Sequence, residues 1–121
     1  MSLTRDTAKM SRYEVIAFET ESGNVPFQEW YDDIRDAKAK TIILARIGRA
    51  AEGNFGDWKP ISGAKGLCEM CIAYGQGFRV YYAVFGMKIV LLLAGSMKSE
   101  QDRAIAKARD YLAEANRRSK T

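Results

Sequence analysis

The residues best suited to chemistry in this chain of 121 residues are an arginine, a tyrosine and a glutamate in two neighbouring extended segments. Arg79 and Tyr81 alternate in the segment 78–85, and Glu69 lies in the segment 67–74. A guanidinium can hold a phosphate through two hydrogen bonds, and a neighbouring tyrosine can stack on a base or bond to a ribose. These residue types indicate binding of a phosphate backbone. The alternative is an ordinary surface ion pair of Arg79 and Glu69 with no further task.

Other kinds of catalytic site are poorly represented. The chain has no histidine, so it lacks the usual general base of a catalytic triad and the commonest metal ligand. Cys68 and Cys71 form a Cys-x-x-Cys motif, but an extended segment would direct them to opposite faces of a sheet. A redox pair instead normally lies where a strand meets a helix N-terminus. We therefore expect two reduced thiols, no metal site and no cofactor.

The composition is typical of one soluble globular domain. Hydrophobic residues make up 47% and charged residues 28% of the chain. The longest apolar run, residues 89–94, is too short to cross a membrane, and no apolar stretch follows Arg5 and Lys9 as it would in a signal peptide. We therefore expect a cytoplasmic protein. The net charge of +4 favours polyanions or an acidic partner, although a solvated basic helix within residues 98–121 would explain it as well.

Hydrophobic periodicity predicts seven elements in the order β-α-α-β-β-β-α. The predicted strands are residues 13–18, 67–74, 78–85 and 88–94. The predicted helices are one that begins just after Asn24, one from Asp36 to about Glu52, and one that begins at Ser99. This order describes an α+β domain with an antiparallel sheet, an N-terminal helical hairpin on one face, and a C-terminal helix. We expect the other face of the sheet to be open.

The hairpin of the second and third predicted strands can be placed in register from its glycines. A three-residue loop at residues 75–77 would place Cys71 opposite Tyr81. Glu69, Arg79 and Tyr81 would then share one patch of the open face, because side chains across a strand pair lie about 5 Å apart. A slip of one residue would bury both charges, which is costly.

Five motifs, taken together and in this order, identify a family. They are Phe27-Gln28-Glu29-Trp30, Gly53-Asn54-Phe55-Gly56-Asp57-Trp58-Lys59, Glu69-Met70-Cys71-Ile72, Gly77-Phe78-Arg79-Val80-Tyr81-Tyr82 and the segment from Leu91 to Gln101. Over about residues 13–115 the chain resembles the phage-derived, HigB-like toxins (addiction-module killer proteins) of the RelE/ParE superfamily. The resemblance implies a RelE-like fold for a single toxin domain at 13–115. Residues 1–12 show no periodicity, so we expect a flexible segment there, and residues 116–121 form a basic tail.

The function that the resemblance implies is the toxin of a type II toxin–antitoxin system. Such a toxin is a ribosome-dependent endoribonuclease that cuts mRNA without a metal and is neutralised by a cognate helix-turn-helix antitoxin. Basic side chains orient the scissile phosphate while the ribose 2′-OH attacks it. Carried over to this sequence, the implied catalytic residues are Arg79, Lys98, Tyr81 and Glu69, and the implied RNA-binding residues are Lys59, Lys65, Arg79 and Lys98.

The sequence departs from the family pattern at the implied site. The family has Glu-Leu-Arg where this chain has Glu69-Met70-Cys71, and Gly-Asp-Lys where it has Ser96-Met97-Lys98. Loss of one guanidinium from a phosphate clamp weakens stabilisation of the transition state. An alternative prediction is therefore a weakened or inactive toxin that binds its antitoxin and acts with it in repressing their operon. A third is a gyrase-directed toxin of the ParE branch, which shares the fold but not these motifs.

Overall fold

A computed structural model describes residues 12–119, which form a five-stranded mixed sheet and three α-helices. The strands are β1 (Glu14–Ala17), β2 (Trp58–Pro60), β3 (Cys68–Ile72), β4 (Phe78–Phe85) and β5 (Ile89–Met97). The helices are α1 (Pro26–Asp33), α2 (Ala37–Ala51) and α3 (Gln101–Ser119), and a 3₁₀ turn at Lys98–Glu100 precedes α3. The predicted α+β class is confirmed.

The sheet is mixed, whereas the sequence predicted an antiparallel one. Its strand order is β1-β5-β4-β3-β2; β2 to β5 form an antiparallel meander, and β1 lies parallel to β5. Along the chain, the helical hairpin of α1 and α2 lies between β1 and the meander, because parallel strands need a long crossover connection. The predicted element order also omitted β2, which is three residues long and has exposed side chains throughout.

The predicted register of the β3–β4 hairpin is wrong by two residues. Cys71 pairs with Arg79 instead of Tyr81, because the loop between the strands has five residues instead of three. Gly77 donates its N–H to the carbonyl of Tyr74 at 2.9 Å within this loop. A shift of two residues keeps every side chain on its predicted face, since the side-chain period of a strand is two.

The helical hairpin covers one face of the sheet, as predicted, and we call this the hairpin face. Phe27 of α1 and Ile43 of α2 are buried there with Tyr82 of β4 in one apolar cluster. Trp30 of α1 packs directly over Gly95 of β5, where a Cβ atom would overlap the indole ring. The absence of a side chain at this glycine therefore allows α1 to approach the sheet closely.

The opposite face is covered by α3, so the prediction of an open face is wrong. We call it the α3 face. Ala108 and Leu112 of α3 are buried against the sheet in a second apolar cluster with Tyr81. The consecutive residues Leu93 and Ala94 both belong to this cluster, and a register shift interrupts the β4–β5 pairing beside them. Burial of this apolar surface holds α3 on the sheet.

The helix α3 continues to Ser119, so residues 116–119 of the predicted basic tail are helical. The predicted flexible segment at residues 1–12 lies, apart from Arg12, outside the described residues. Within residues 12–119, no helix combines the length and apolar character needed to cross a membrane.

Candidate functional site

The charged residues that the sequence singled out gather around Glu69, which is completely buried. Gln101, the first residue of α3, donates from Nε2 to both carboxylate oxygens, at 2.9 and 3.0 Å. Lys59 Nζ and Arg79 Nε each lie 3.6 Å from Glu69 Oε2, and the Cys71 thiol donates to the same oxygen at 3.6 Å. We call these five residues the charged cluster. A buried carboxylate is tolerated only when such partners surround it.

Strand pairing explains how the charged cluster is assembled. Lys59 of β2 stands opposite Glu69 of β3, and Glu69 stands opposite Tyr81 of β4. In the adjacent row, Cys71 stands opposite Arg79. Side chains opposite each other across a strand pair lie about 5 Å apart, so the two rows bring the cluster together on the α3 face.

Arg79 is held in place but keeps unused hydrogen-bond donors. Its side chain is 12% exposed, and its distance to Glu69 makes an ion pair rather than a hydrogen bond. Within residues 12–119, its one hydrogen bond runs from Nη1 to the carbonyl of Phe78, at 3.1 Å, and the buried Nε has none. A guanidinium has five N–H donors, so Arg79 retains donors for an anionic ligand.

Lys98 lies next to Arg79, across Gly77. The backbone N–H of Lys98 donates to the carbonyl of Gly77 at 3.0 Å. The position that a Cβ atom of Gly77 would occupy is 3.3 Å from Lys98 Cβ and 3.8 Å from Arg79 Nη1. Gly77 has a positive φ of 92°, which favours glycine. The structure therefore brings together the two residues that were the first choices for phosphate binding, and Lys98 is exposed.

Tyr81 is buried inside the protein and does not lie on an open face, which corrects the expectation that it stacks on a base. It is inaccessible to solvent, and its hydroxyl lies 3.0 Å from Ser96 Oγ. Because Ser96 donates its only hydroxyl proton to the carbonyl of Met97, Tyr81 is the donor to Ser96. Burial raises the pKa of Tyr81 to about 12, so the phenol stays neutral at physiological pH.

Glu69 is equally inaccessible, and its role changes accordingly. With Gln101 bonded to both oxygens, the carboxylate has no open path to a ribose hydroxyl in this conformation. It fixes the position of Arg79 instead. Glu69 therefore lies against the cations around it and is not accessible to a ligand in this conformation.

The two remaining lysines differ in their surroundings. Lys59 belongs to the charged cluster, yet its side chain is 60% exposed and its ammonium group can reach a ligand. Lys65 is exposed in the loop between β2 and β3, and no contact within residues 12–119 joins it to the cluster. The structure thus brings Lys59 to the site but not Lys65.

The two cysteines are unpaired and lie on opposite faces, as predicted. Cys68 packs against the hairpin-face core, whereas Cys71 belongs to the charged cluster. Burial raises the pKa of both thiols, which makes them weak nucleophiles at neutral pH. In the described part of the chain, no three histidine, cysteine, aspartate or glutamate side chains are grouped to hold a metal ion.

Sequence reasoning missed Gln101, Ser96 and Arg46. Gln101 and Ser96 hold Glu69 and Tyr81 through side-chain hydrogen bonds from the last helix and strand. Arg46 of α2 donates to three backbone carbonyls that include those of Cys71 and Phe55, and so ties α2 to the segment before β2. No local spacing in the sequence signals the contact of Gln101 with Glu69, because it depends on where α3 crosses the sheet.

Comparison with other proteins finds a bacterial relative of this chain. The sequence matches no family model. It is 41% identical over 83 residues to a protein of Haemophilus influenzae described as an uncharacterized protein. The aligned region covers 69% of this chain and 82% of that relative.

Proposed function

We propose that this chain, which belongs to the same family as the uncharacterized Haemophilus influenzae protein, is the toxin of a type II toxin–antitoxin system with a RelE-like fold. Its activity would be metal-independent, ribosome-dependent cleavage of mRNA, and a cognate helix-turn-helix antitoxin would neutralise it. The observation that carries the proposal is the approach of Arg79 Nη1 and the Lys98 side chain to the same point beside Gly77, with Arg79 also paired to the buried Glu69. Two cations held together in this way suit a phosphate.

In this proposal the cations stabilise charge and the carboxylate positions them. The free N–H donors of Arg79 bind the scissile phosphate, and the exposed ammonium groups of Lys98 and Lys59 contact the same RNA backbone. The ribose 2′-OH gives its proton to solvent water and attacks phosphorus, the bond to the 5′-oxygen breaks, and a 2′,3′-cyclic phosphate forms. Pre-positioned cations stabilise the negative charge that develops on the phosphate oxygens. In this proposal, Lys98 gives the departing 5′-oxygen its proton.

Induced expression of the chain in a bacterial host tests this proposal. We expect growth arrest and cleavage of ribosome-bound mRNA. Loss of one charge-stabilising donor typically lowers such a rate by about 100-fold, so Lys98→Gln should relieve the arrest. Lys98 is exposed, and the variant should therefore fold normally. The matched control is Lys88→Gln, an exposed lysine in the β4–β5 turn, which should remain toxic. Normal growth with abundant, folded wild-type protein would contradict the proposal.

A second candidate function is favoured by Cys71. Its thiol contacts Glu69 Oε2 and stands opposite Arg79, where the resemblance implies an arginine. The site therefore has one guanidinium fewer than an active toxin of that type. The chain would then be a weakened toxin that still binds its antitoxin and represses the operon with it.

The variant Cys71→Arg separates the two functions. Cleavage by Cys71→Arg but not by the wild type would support the weakened toxin. Equal cleavage by both proteins would support the active toxin. If neither protein cleaves mRNA on the ribosome, Cys71 is not the cause of inactivity.

A further inference from the structure

A cleft between α1 and α3 opens at an edge of β5 that no strand of the described residues covers. β1 pairs only with residues 89–92 of β5, so among the described residues no strand adjoins residues 93–97 on that side. The cleft has a volume of about 300 Å³, and Ala94, Gly95 and Ser96 belong to its lining. Unpaired backbone groups at a strand edge can pair with another extended chain.

The two helices that line the cleft carry opposite charges there. Glu29 and Asp33 line it from α1, and Arg103 and Lys107 line it from α3. Within residues 12–119 none of these four side chains forms an ion pair, and Glu29 accepts a hydrogen bond only from the backbone N–H of Val25. Their charges are therefore available to a ligand.

The spacing of these charges matches that of an extended peptide. The two charged residues on each helix are four positions apart, which is about 6 Å along the helix axis. Alternate residues of a strand are about 7 Å apart. α1 packs on the hairpin face and α3 on the other, and successive side chains of a strand also point to opposite faces. An added strand would direct alternate side chains toward the acidic and the basic helix.

We propose that this cleft binds an extended segment of a partner protein, added to β5 as a further strand, in which cationic and anionic side chains alternate. Trp30 and Tyr111 also line the cleft and offer apolar contacts to such a segment. Glu100 lies near Asp33, since the two residues share a neighbouring surface pocket, and it adds negative charge at that end. The segment would therefore present a basic residue there. This inference does not depend on the proposed ribonuclease activity.

Two short peptides of equal composition test the proposal. The probe is acetyl-Thr-Lys-Glu-Lys-Glu-Lys-Thr-amide, and the control is acetyl-Thr-Lys-Lys-Lys-Glu-Glu-Thr-amide. Each is titrated to millimolar concentration into the full chain while backbone amide signals are followed by NMR. We expect the alternating peptide to shift the amides of residues 93–97 and slow their hydrogen exchange, with an affinity about tenfold higher than that of the control.

Charge variants give the decisive comparison. Arg103→Gln combined with Lys107→Gln should abolish the preference for the alternating peptide. Lys88→Gln combined with Arg117→Gln removes the same charge from exposed positions outside the cleft and should preserve it. Circular dichroism checks that both variants fold. The proposal is overturned if the amides of residues 93–97 do not shift, if the two peptides bind equally, or if an RNA oligonucleotide displaces the peptide and reproduces its shifts.

Discussion

The two faces of the sheet are both covered by helices, yet they are built differently. On the hairpin face, Phe55 stacks on Tyr82 with ring centroids 5.3 Å apart inside an apolar cluster. On the α3 face, the apolar cluster around Tyr81 adjoins a completely buried carboxylate, Glu69. Among residues 12–119, the one completely buried charge therefore lies on the α3 face, where cations and an amide donor from three other elements surround it. A sheet can carry a polar site beneath a helix if the opposite face supplies an uninterrupted core.

The largest effect that we predict concerns the buried carboxylate. Glu69→Ala should lower the free energy of unfolding by about 3–5 kcal/mol, because it leaves the Arg79 guanidinium buried without its partner. Urea denaturation measures this change. Glu69→Gln, which keeps the shape and a hydrogen-bonding side chain, should lose less. A loss below about 1 kcal/mol for Glu69→Ala would show that the charged cluster does not stabilise the fold.

The corresponding change on the hairpin face is Gly95→Ala. The added methyl group would overlap the ring of Trp30, so α1 must move away from β5, and we expect a loss of about 3 kcal/mol. The control is Gly48→Ala on the exposed side of α2, where an added Cβ meets nothing within 4 Å. That variant should gain about 0.5–1 kcal/mol, since alanine favours a helix. Equal stabilities in thermal unfolding would refute the close packing of α1.

Alkaline pH should weaken both faces through their tyrosines. Burial raises the pKa of Tyr81 to about 12, and it also raises that of Tyr82 on the hairpin face. A raised pKa in the folded state means that stability is complete below the ordinary value near 10 and is lost as pH rises toward the folded value. For Tyr81 the loss is about 2 kcal/mol between pH 10 and 12. Tyr81→Phe should flatten this pH dependence in urea denaturation, and an unchanged slope would count against the burial of the phenol.

The smallest effect concerns the start of α2. The Asp36 carboxylate accepts hydrogen bonds from the N–H groups of Ala39 and Lys38 and from the hydroxyl of Tyr74. These bonds lower the pKa of Asp36, and the bond from Ala39 contributes most. A lowered pKa in the folded state means that this contribution is present above the ordinary pKa and is lost as pH falls through the folded value. Asp36→Ala should therefore lower the midpoint of thermal unfolding more at pH 7 than at pH 2. Asp36→Asn keeps a capping oxygen and serves as the control.

The sequence carried strong signals for some elements and weak ones for others. The bounds of β4, residues 78–85, were predicted correctly because alternating apolar residues end at glycine turns on both sides. Asp36 and Gly53 likewise marked the ends of α2. The packing of α3 on the sheet was not predicted, because Ala108 and Ala115 are small and give this charged helix only a weak apolar stripe. The burial of Glu69 could not be predicted, because a charged residue in a strand normally indicates a solvated face.

The candidate site likewise contains residues that the sequence predicted and others that it did not. Arg79, Lys98 and Lys59 were found by type and position, and the structure brings all three to one region. Gln101 was missed because its hydrogen bonds to Glu69 depend on where α3 crosses the sheet. That position is set by long-range packing, and no local spacing in the sequence encodes it.

The parallel pairing of β1 with β5 has a consequence for the order of folding. Ile16 of β1 pairs with Leu91, roughly 75 residues later in the chain, whereas β2 to β5 pair with their neighbours in sequence. Contacts between distant residues form slowly, because a long loop must close before they gain any free energy. We therefore expect the meander to form a local nucleus and the first strand to join it last. During synthesis, β1 leaves the ribosome before the other strands, and it has no strand to pair with until β5 has been made.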